Sequence, residues 1–129
     1  MFLYKRIRIA KRRKARSRKS QKDYLEQKKR ATALVFGRLD YFNNHYNLQY
    51  QRVFIRNQIT KWGTCSTLGN LSFNYRIVYL PSHLADYLIV HELCHLKYLN
   101  HSKEFWDLVA QTIPDYKFKK CELRKVRLA

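Results

Sequence analysis

The chain has 129 residues, which suits one domain with a buried core. Hydrophobic residues make up 46% of the sequence and aromatic residues 15%, so an intrinsically disordered protein is excluded. No apolar run approaches the roughly 18 residues of a membrane helix, and the first four residues lead into charge rather than into the apolar region of a signal peptide. We therefore expect a soluble, cytoplasmic protein without a membrane partner.

Positive charge is concentrated at the N-terminus. Of a net charge of +18, the first 30 residues contribute fourteen Lys or Arg against two acids. Before the first acid, Asp23, seven of the cations form one run, which consists of Lys11, Arg12, Arg13, Lys14, Arg16, Arg18 and Lys19. Such a run attracts phosphates, so it predicts binding of nucleic acid or another polyanion. A solvated tail that only aids solubility explains the same charge, as does an organellar transit peptide.

The three cysteines are Cys65, Cys94 and Cys121. Their number is odd and no pair has Cys-x-x-Cys spacing, so neither a disulfide framework nor a thiolate zinc knuckle is indicated. A reducing compartment fits this pattern.

The first half of the chain predicts a helix followed by a sheet. Ser20 with Asp23 three residues later is typical of a helix start, and helical spacing of apolar residues continues to about residues 43–44. Residues 51–55 are β-favouring, residues 71–75 alternate, and residues 77–80 form a mostly apolar run. We interpret these three segments as strands of a small sheet.

The second half predicts helices. Pro81 and Ser82 end the sheet, and residues 84–96 are apolar on most sides, which indicates a buried helix. Ser102 can cap a further helix that extends to about Thr112, before a basic segment at residues 117–127.

A His-Glu-x-x-His motif lies in the buried helix. His91 and His95 are four residues apart, so both imidazoles share one helical face and can bind one metal ion. The carboxylate of Glu92 can reach a water on that metal and accept its proton, which is the role of a general base. Imidazole ligands with an open position for water favour Zn²⁺.

The motif needs a third ligand. His101 is the preferred candidate, because Asn100 could adopt the left-handed conformation that ends a helix and turns the chain back. Glu104 is the alternative, although it falls inside the helix that Ser102 begins. A purely structural histidine pair is the competing interpretation, and three histidines within eleven residues weaken it.

Several stretches of this sequence together resemble the YgjP-like metallopeptidases, which are related to the SprT-like and wider zincin proteins. The stretches are Trp62-Gly63-Thr64-Cys65-Ser66, Gly69-Asn70-Leu71-Ser72-Phe73-Asn74-Tyr75-Arg76, Asp86-Tyr87, the His-Glu motif, Asn100-His101-Ser102 and Phe105-Trp106. The similarity covers about residues 20–116. It sets residues 1–19 apart as a basic N-terminal segment and residues 20–129 as the metallopeptidase domain.

The resemblance implies an α+β, zincin-like fold with a long N-terminal helix, a small antiparallel sheet, an active-site helix and C-terminal helices. It implies His101 as the third zinc ligand, and a peptide or protein substrate. An exposed sheet edge beside the metal would let an extended peptide add as a strand. Cys94 replaces the small residue, such as Ala, that is usual inside the motif, and we expect it to pack as a small hydrophobe.

Some assignments stay open. Asn74, Arg76 and Tyr98 are possible donors to the oxyanion, and Trp62 and Trp106 are expected in the core rather than at the substrate. Two other functions compete with a zinc peptidase in which Glu92 is the base. One is a metal-dependent nucleotide phosphohydrolase, and the other is a nucleic-acid-binding protein whose metal site is structural or vestigial.

Overall fold

The computed structural model describes the backbone of residues 2–128 and the side chains of residues 18–128. The elements in chain order are α1 (Phe2–Tyr46), β1 (Val53–Arg56), β2 (Gly63–Cys65), β3 (Leu71–Asn74), a 3-10 helix (Tyr75–Tyr79), α2 (Ser82–Cys94), α3 (Lys103–Ala110) and α4 (Tyr116–Lys125). This order has the α+β composition that the sequence predicts. No helix in the described part of the chain is long and apolar enough to cross a membrane.

Helix α1 is longer than predicted. Its expected start at Ser20 is wrong, since the helix extends back to Phe2. Lys and Arg are good helix formers, so a basic run can continue a helix even though it has no apolar periodicity. The predicted end near residues 43–44 is close to the observed end at Tyr46. After it, Asn47 has a φ of 55°, and the Asn43 side-chain amide donates to the Leu48 carbonyl and accepts from the Leu48 N–H.

One face of α1 packs on the rest of the fold. The residues Ala31, Val35, Leu39 and Phe42 recur at helical spacing and are buried. Beside this face, Arg38 donates two hydrogen bonds to the Asp86 carboxylate, at 2.7 and 3.0 Å. These contacts join α1 to α2, the helix that carries the motif.

The sheet has three strands in the order β1-β3-β2. Strand β1 is parallel to β3, with Val53 opposite Leu71, and β2 is antiparallel to β3, with Gly63 opposite Phe73. The expectation of an antiparallel sheet is therefore wrong, because the sheet is mixed. The predicted strand at residues 77–80 is also wrong, since a 3-10 helix occupies Tyr75–Tyr79, and a strand at Gly63–Cys65 was not predicted.

Helix α2 lies at the centre of the core. It spans Ser82–Cys94, within two residues of the predicted range of 84–96 at each end, and nine of its thirteen residues are buried. It contacts α1, β2, α3 and α4, which explains why its sequence is apolar on most sides. The helix that carries the motif therefore packs against four other elements of the fold.

Candidate metal centre and active site

The end of α2 positions the first two histidines. His91 lies in the last turn, and His95 is the C-cap residue with helical dihedral angles, φ −64° and ψ −19°. Because the helical path continues through the cap, the two rings share one face, and their centroids are 4.8 Å apart. The two rings therefore lie together as the spacing of the motif indicates, and their role as metal ligands stays a prediction.

A series of short-range backbone bonds carries the chain from His95 to His101. The N–H groups of Leu96, Lys97 and Tyr98 donate to carbonyls three or four residues earlier. The expected left-handed conformation of Asn100 is wrong, since Asn47 is the one described non-glycine residue with a positive φ. Ser102 then caps α3, its Oγ accepting from the Phe105 N–H at 3.3 Å, so that His101 is fixed just before a helix start.

The three Nε2 atoms form a small triangle. The His91–His95 and His95–His101 distances are 3.1 Å, and the His91–His101 distance is 3.2 Å. Ligand nitrogens about 2.0–2.1 Å from a tetrahedral Zn²⁺ would lie roughly 3.3–3.4 Å apart, which is close to these separations. The three residues could therefore hold one metal ion. Glu104, the alternative ligand, is exposed in the first turn of α3 and does not join this group.

Neighbouring groups orient the imidazoles. His95 Nδ1 is 2.9 Å from the Tyr98 carbonyl oxygen, which can only accept, so Nδ1 carries the proton and Nε2 keeps its lone pair. His91 Nδ1 is 3.4 Å from the Tyr87 hydroxyl. Phe105 stacks on the His95 ring at 4.4 Å between centroids, and Trp106 stacks on the His101 ring at 5.7 Å. Each histidine is thus held with Nε2 toward the shared point.

The surroundings keep two of the imidazoles neutral. Burial lowers the pKa of His91 to about 3, with smaller effects from the charges of His95, His101 and Lys120. Burial also lowers the pKa of His95. A neutral imidazole is the form that binds a metal ion, so these rings need not lose a proton to do so at neutral pH.

Glu92 follows His91 in α2, and its side chain is buried. Its Oε2 is the one buried side-chain polar atom without a hydrogen-bond partner in the described part of the chain. Burial raises the pKa of Glu92 to about 8. A Cβ added to Gly63 on β2 would lie only 3.0 Å from the Glu92 Cγ, so the strand passes directly against this side chain. An orphaned buried carboxylate is costly unless a proton or a cation compensates it, which fits an adjacent metal site.

A cavity of about 560 Å³ adjoins the triangle. It is lined by Ile59, Thr60, Trp62, Tyr87, His91, His101, Trp106, Lys120, Leu123, Arg124, Val126 and Leu128. Trp62 and Trp106 line this space and also pack against the hydrophobic core, where they were expected. Tyr87 lies one turn before His91 on the same helix, in the Asp86-Tyr87 stretch quoted above. Lys120 and Arg124 had no signal in the sequence, because only tertiary folding brings them to the motif.

The other candidate residues lie elsewhere. Cys94 is fully buried with its thiol beside the Tyr46 hydroxyl, and burial raises its pKa to about 12. Asn74 and Arg76 are engaged in structural bonds, since the Asn74 amide donates to the Lys61 carbonyl and Arg76 to Ser20 Oγ. In the basic run, Arg18 and Lys19 are exposed on α1, while the side chains of residues 11–16 lie outside those described.

Comparison with known families decides the classification. A model described as "YgjP-like, metallopeptidase domain" matches residues 3–126. The chain belongs to the YgjP-like metallopeptidase family. This confirms the resemblance drawn from the motifs, and it classes the protein as a metallopeptidase, a hydrolase with an α+β fold.

Two solved structures resemble this YgjP-like chain in fold. The metallopeptidase zymogen of Pyrococcus abyssi abylysin is 24% identical, with a TM-score of 0.63, and the match covers 69% of this chain and 90% of that one. The metallopeptidase zymogen of Methanocaldococcus jannaschii jannalysin is 21% identical, with a TM-score of 0.51, over 71% of this chain and 94% of that one. No curated protein matches the sequence significantly.

Proposed function

We propose that the chain hydrolyses peptide bonds with a zinc ion held by His91, His95 and His101 and with Glu92 as the general base. The observation that supports this most strongly is the juxtaposition of three Nε2 atoms, 3.1–3.2 Å apart, with a buried carboxylate oxygen that has no other partner. Zinc is the proposed metal because three imidazoles suit its tetrahedral preference and leave one position open.

The bound zinc would act as a Lewis acid and lower the pKa of a water molecule toward 7. Glu92 then has two tasks. It accepts the proton of the attacking water, and it passes that proton to the leaving amine. A cation held by the three histidines favours the ionised form of Glu92, which offsets the effect of burial on its pKa.

The proposed substrate is an extended peptide that adds to the sheet at β2. This strand pairs with β3 on one side and is the last strand of the sheet, so its other edge has free backbone groups. Because Glu92 packs against the face of β2 at Gly63, a peptide that adds to this strand would lie in the strand next to the base. Backbone hydrogen bonds would then hold the scissile bond in place.

The direct test combines metal analysis with a peptidase assay. We expect one zinc per wild-type chain and none in His95→Ala. Glu92→Gln should retain zinc while kcat/KM for a cleaved peptide falls at least about 100-fold, since general-base catalysis contributes about that much. A wild-type protein that takes up no zinc, or a Glu92→Gln variant with full activity, would refute the proposal. Nucleotides assayed in parallel test the phosphohydrolase alternative.

Nucleic-acid binding is a second candidate function, favoured by the exposed face of α1. Exposed cations follow one another along its described part without an ion-pair partner there, namely Arg18, Lys19, Lys22, Lys28, Lys29 and Arg30. Affinity for duplex or single-stranded nucleic acid should fall steeply as salt rises. Deletion of residues 1–19 should abolish it, and salt-independent or unchanged binding would exclude this role.

Localisation also remains a prediction. The cysteines Cys65, Cys94 and Cys121 are free, which fits a reducing compartment such as the cytoplasm.

A further inference from the structure

Helix α4 forms the wall of the cavity that faces the metal centre. It contributes Lys120, Leu123 and Arg124 to the lining, opposite His91 and His101. Lys120 and Arg124 are four residues apart, so they lie on the same face of the helix, one turn from each other. Two cationic side chains therefore border one space.

Neither cation has an acidic partner in the described part of the chain. The ion pairs there join Arg38 to Asp86, His83 to Glu122, Lys103 to Asp107 and Lys119 to Asp115. None of the described residues that line the cavity is Asp or Glu. The described lining of the cavity thus carries two cationic side chains and no acidic one, which favours an anionic group in its occupant.

The distances place this charge within reach of a peptide at the metal centre. Lys120 Nζ lies 4.8 Å from the Trp106 ring centroid, and that ring stacks on His101 at 5.7 Å. The ammonium group is therefore no farther from the His101 ring than about three residues of extended chain, at roughly 3.3 Å per residue. A residue close to the scissile bond can bring a carboxylate to it.

We propose that the cavity binds a carboxylate of the peptide substrate, with Lys120 and Arg124 as the residues that determine this specificity. The proposal rests on the peptidase function proposed above. The carboxylate comes from an Asp or Glu side chain near the scissile bond or from the C-terminus of the peptide. Arg124 offers a planar set of donors that matches a carboxylate, and Lys120 adds a compact charge. Aliphatic lining residues such as Leu123 and Leu128 accommodate the stem.

Binding to an inactive protein tests the proposal without turnover. The full-length Glu92→Gln chain, loaded with zinc, is titrated against fluorescent peptides that differ only in Glu or Gln at one position and in a free or amidated C-terminus. We expect about tenfold tighter binding of one acidic form than of its amide, decreasing as salt rises. The pair that shows the preference identifies the side chain or the terminus as the source. Equal affinities for all four peptides would overturn the proposal.

Variants of the two cations assign the effect. In Lys120→Met and Arg124→Met, made in the Glu92→Gln chain, the preference for the acid should fall to within about twofold while zinc content stays unchanged. Lys125→Met is the matched control, since it removes the same charge from the same helix at an exposed position outside the cavity. A preference that persists in both cavity variants, or that is lost equally in the control, would contradict the assignment.

Two further measurements separate this inference from the function on which it rests. If the wild type cleaves acidic and amide peptides with the same kcat/KM, the peptidase function stands and the specificity fails. If it cleaves no peptide but the inactive variant still prefers carboxylates, the peptidase function fails and the carboxylate site stands. Displacement by adenosine triphosphate with no preference among the peptides would replace the carboxylate with a phosphate and overturn the proposal.

Discussion

Gly63 sets the position of the Glu92 carboxylate. An added Cβ would lie 3.0 Å from both the Glu92 Cγ and the Ser72 carbonyl oxygen, so Gly63→Ala must displace the Glu92 side chain, the strand or both. We expect kcat/KM to fall about 10-fold to 100-fold, because small displacements of a reacting group are costly, while zinc content stays unchanged. Gly37→Ala is the control, since nothing lies within 4 Å of its Cβ and Ala favours the helix by up to about 1 kcal/mol. Full activity in Gly63→Ala would contradict this role.

Glu92 also costs stability in the metal-free protein. Burial disfavours the charged carboxylate and raises its pKa from 4.5 to about 8. Relative to high pH, the stability that this group contributes is therefore fully present below pH 4.5 and is lost as the pH rises through 8. Without metal, Glu92→Gln should therefore raise the free energy of unfolding at pH 7 by on the order of 3 kcal/mol. Urea unfolding at pH 4 and pH 7, with metal chelated, measures this gain, which should shrink at pH 4. An equal gain at both values would show that ionisation is not its cause.

For single residues, the sequence predicts a shared site only where the residues lie close together in the chain. His91 and His95 follow from helical geometry, and His101 from its position before a capping Ser102. Lys120 and Arg124 carry no such signal, because their distance from the motif depends on how α4 docks against α2. The turn through Asn100 was misread for a related reason, since several local conformations can reverse a chain and the sequence does not choose among them.

Among the elements, the loop between β1 and β2 is held in its conformation by the side-chain amide of Asn74. Asn74 is buried, and its side chain donates to the carbonyls of Gln58 and Lys61 and accepts from the Arg76 N–H. Asn74→Ala leaves these groups unsatisfied and should lower the free energy of unfolding by about 2 kcal/mol, measured with urea. Asn44→Ala changes an exposed amide without a partner among the described side chains, and its effect should stay within about 0.5 kcal/mol. Equal changes in the free energy of unfolding of the two variants would contradict this stabilising role of Asn74.

The elements that the sequence predicts well are those with strong end signals. Pro81-Ser82 and Ser102 mark the starts of α2 and α3, and both helices begin there. Strand β2 was missed because three residues are too few to show alternation. In the run at residues 77–80, Ile77, Val78 and Leu80 are buried and Tyr79 is exposed. Burial alone does not distinguish a short strand from a tight helical turn.

At the scale of the whole molecule, metal binding should couple to folding. If zinc binds the folded chain and not the unfolded one, free zinc at about a hundredfold over its Kd should stabilise the protein by about 2.7 kcal/mol. A thermal melt with zinc and with chelator should then differ by roughly 10 °C. His95→Ala should show no such difference, whereas Glu92→Gln should keep it. A melt of the wild type that is insensitive to zinc would contradict the site.

The three histidines lie close together in the sequence, whereas Glu92 packs against Gly63, which is distant from it in the chain. The proposed ligands fall within residues 91–101, so α2 and the turn after it can assemble them by closing one short loop, which is entropically cheap. The position of Glu92 depends instead on Gly63, whose strand must first pair with β3. During folding, the three histidines can therefore come together and bind the proposed metal before Glu92 reaches its final position. A nascent chain would hold zinc before it could cut itself or its neighbours.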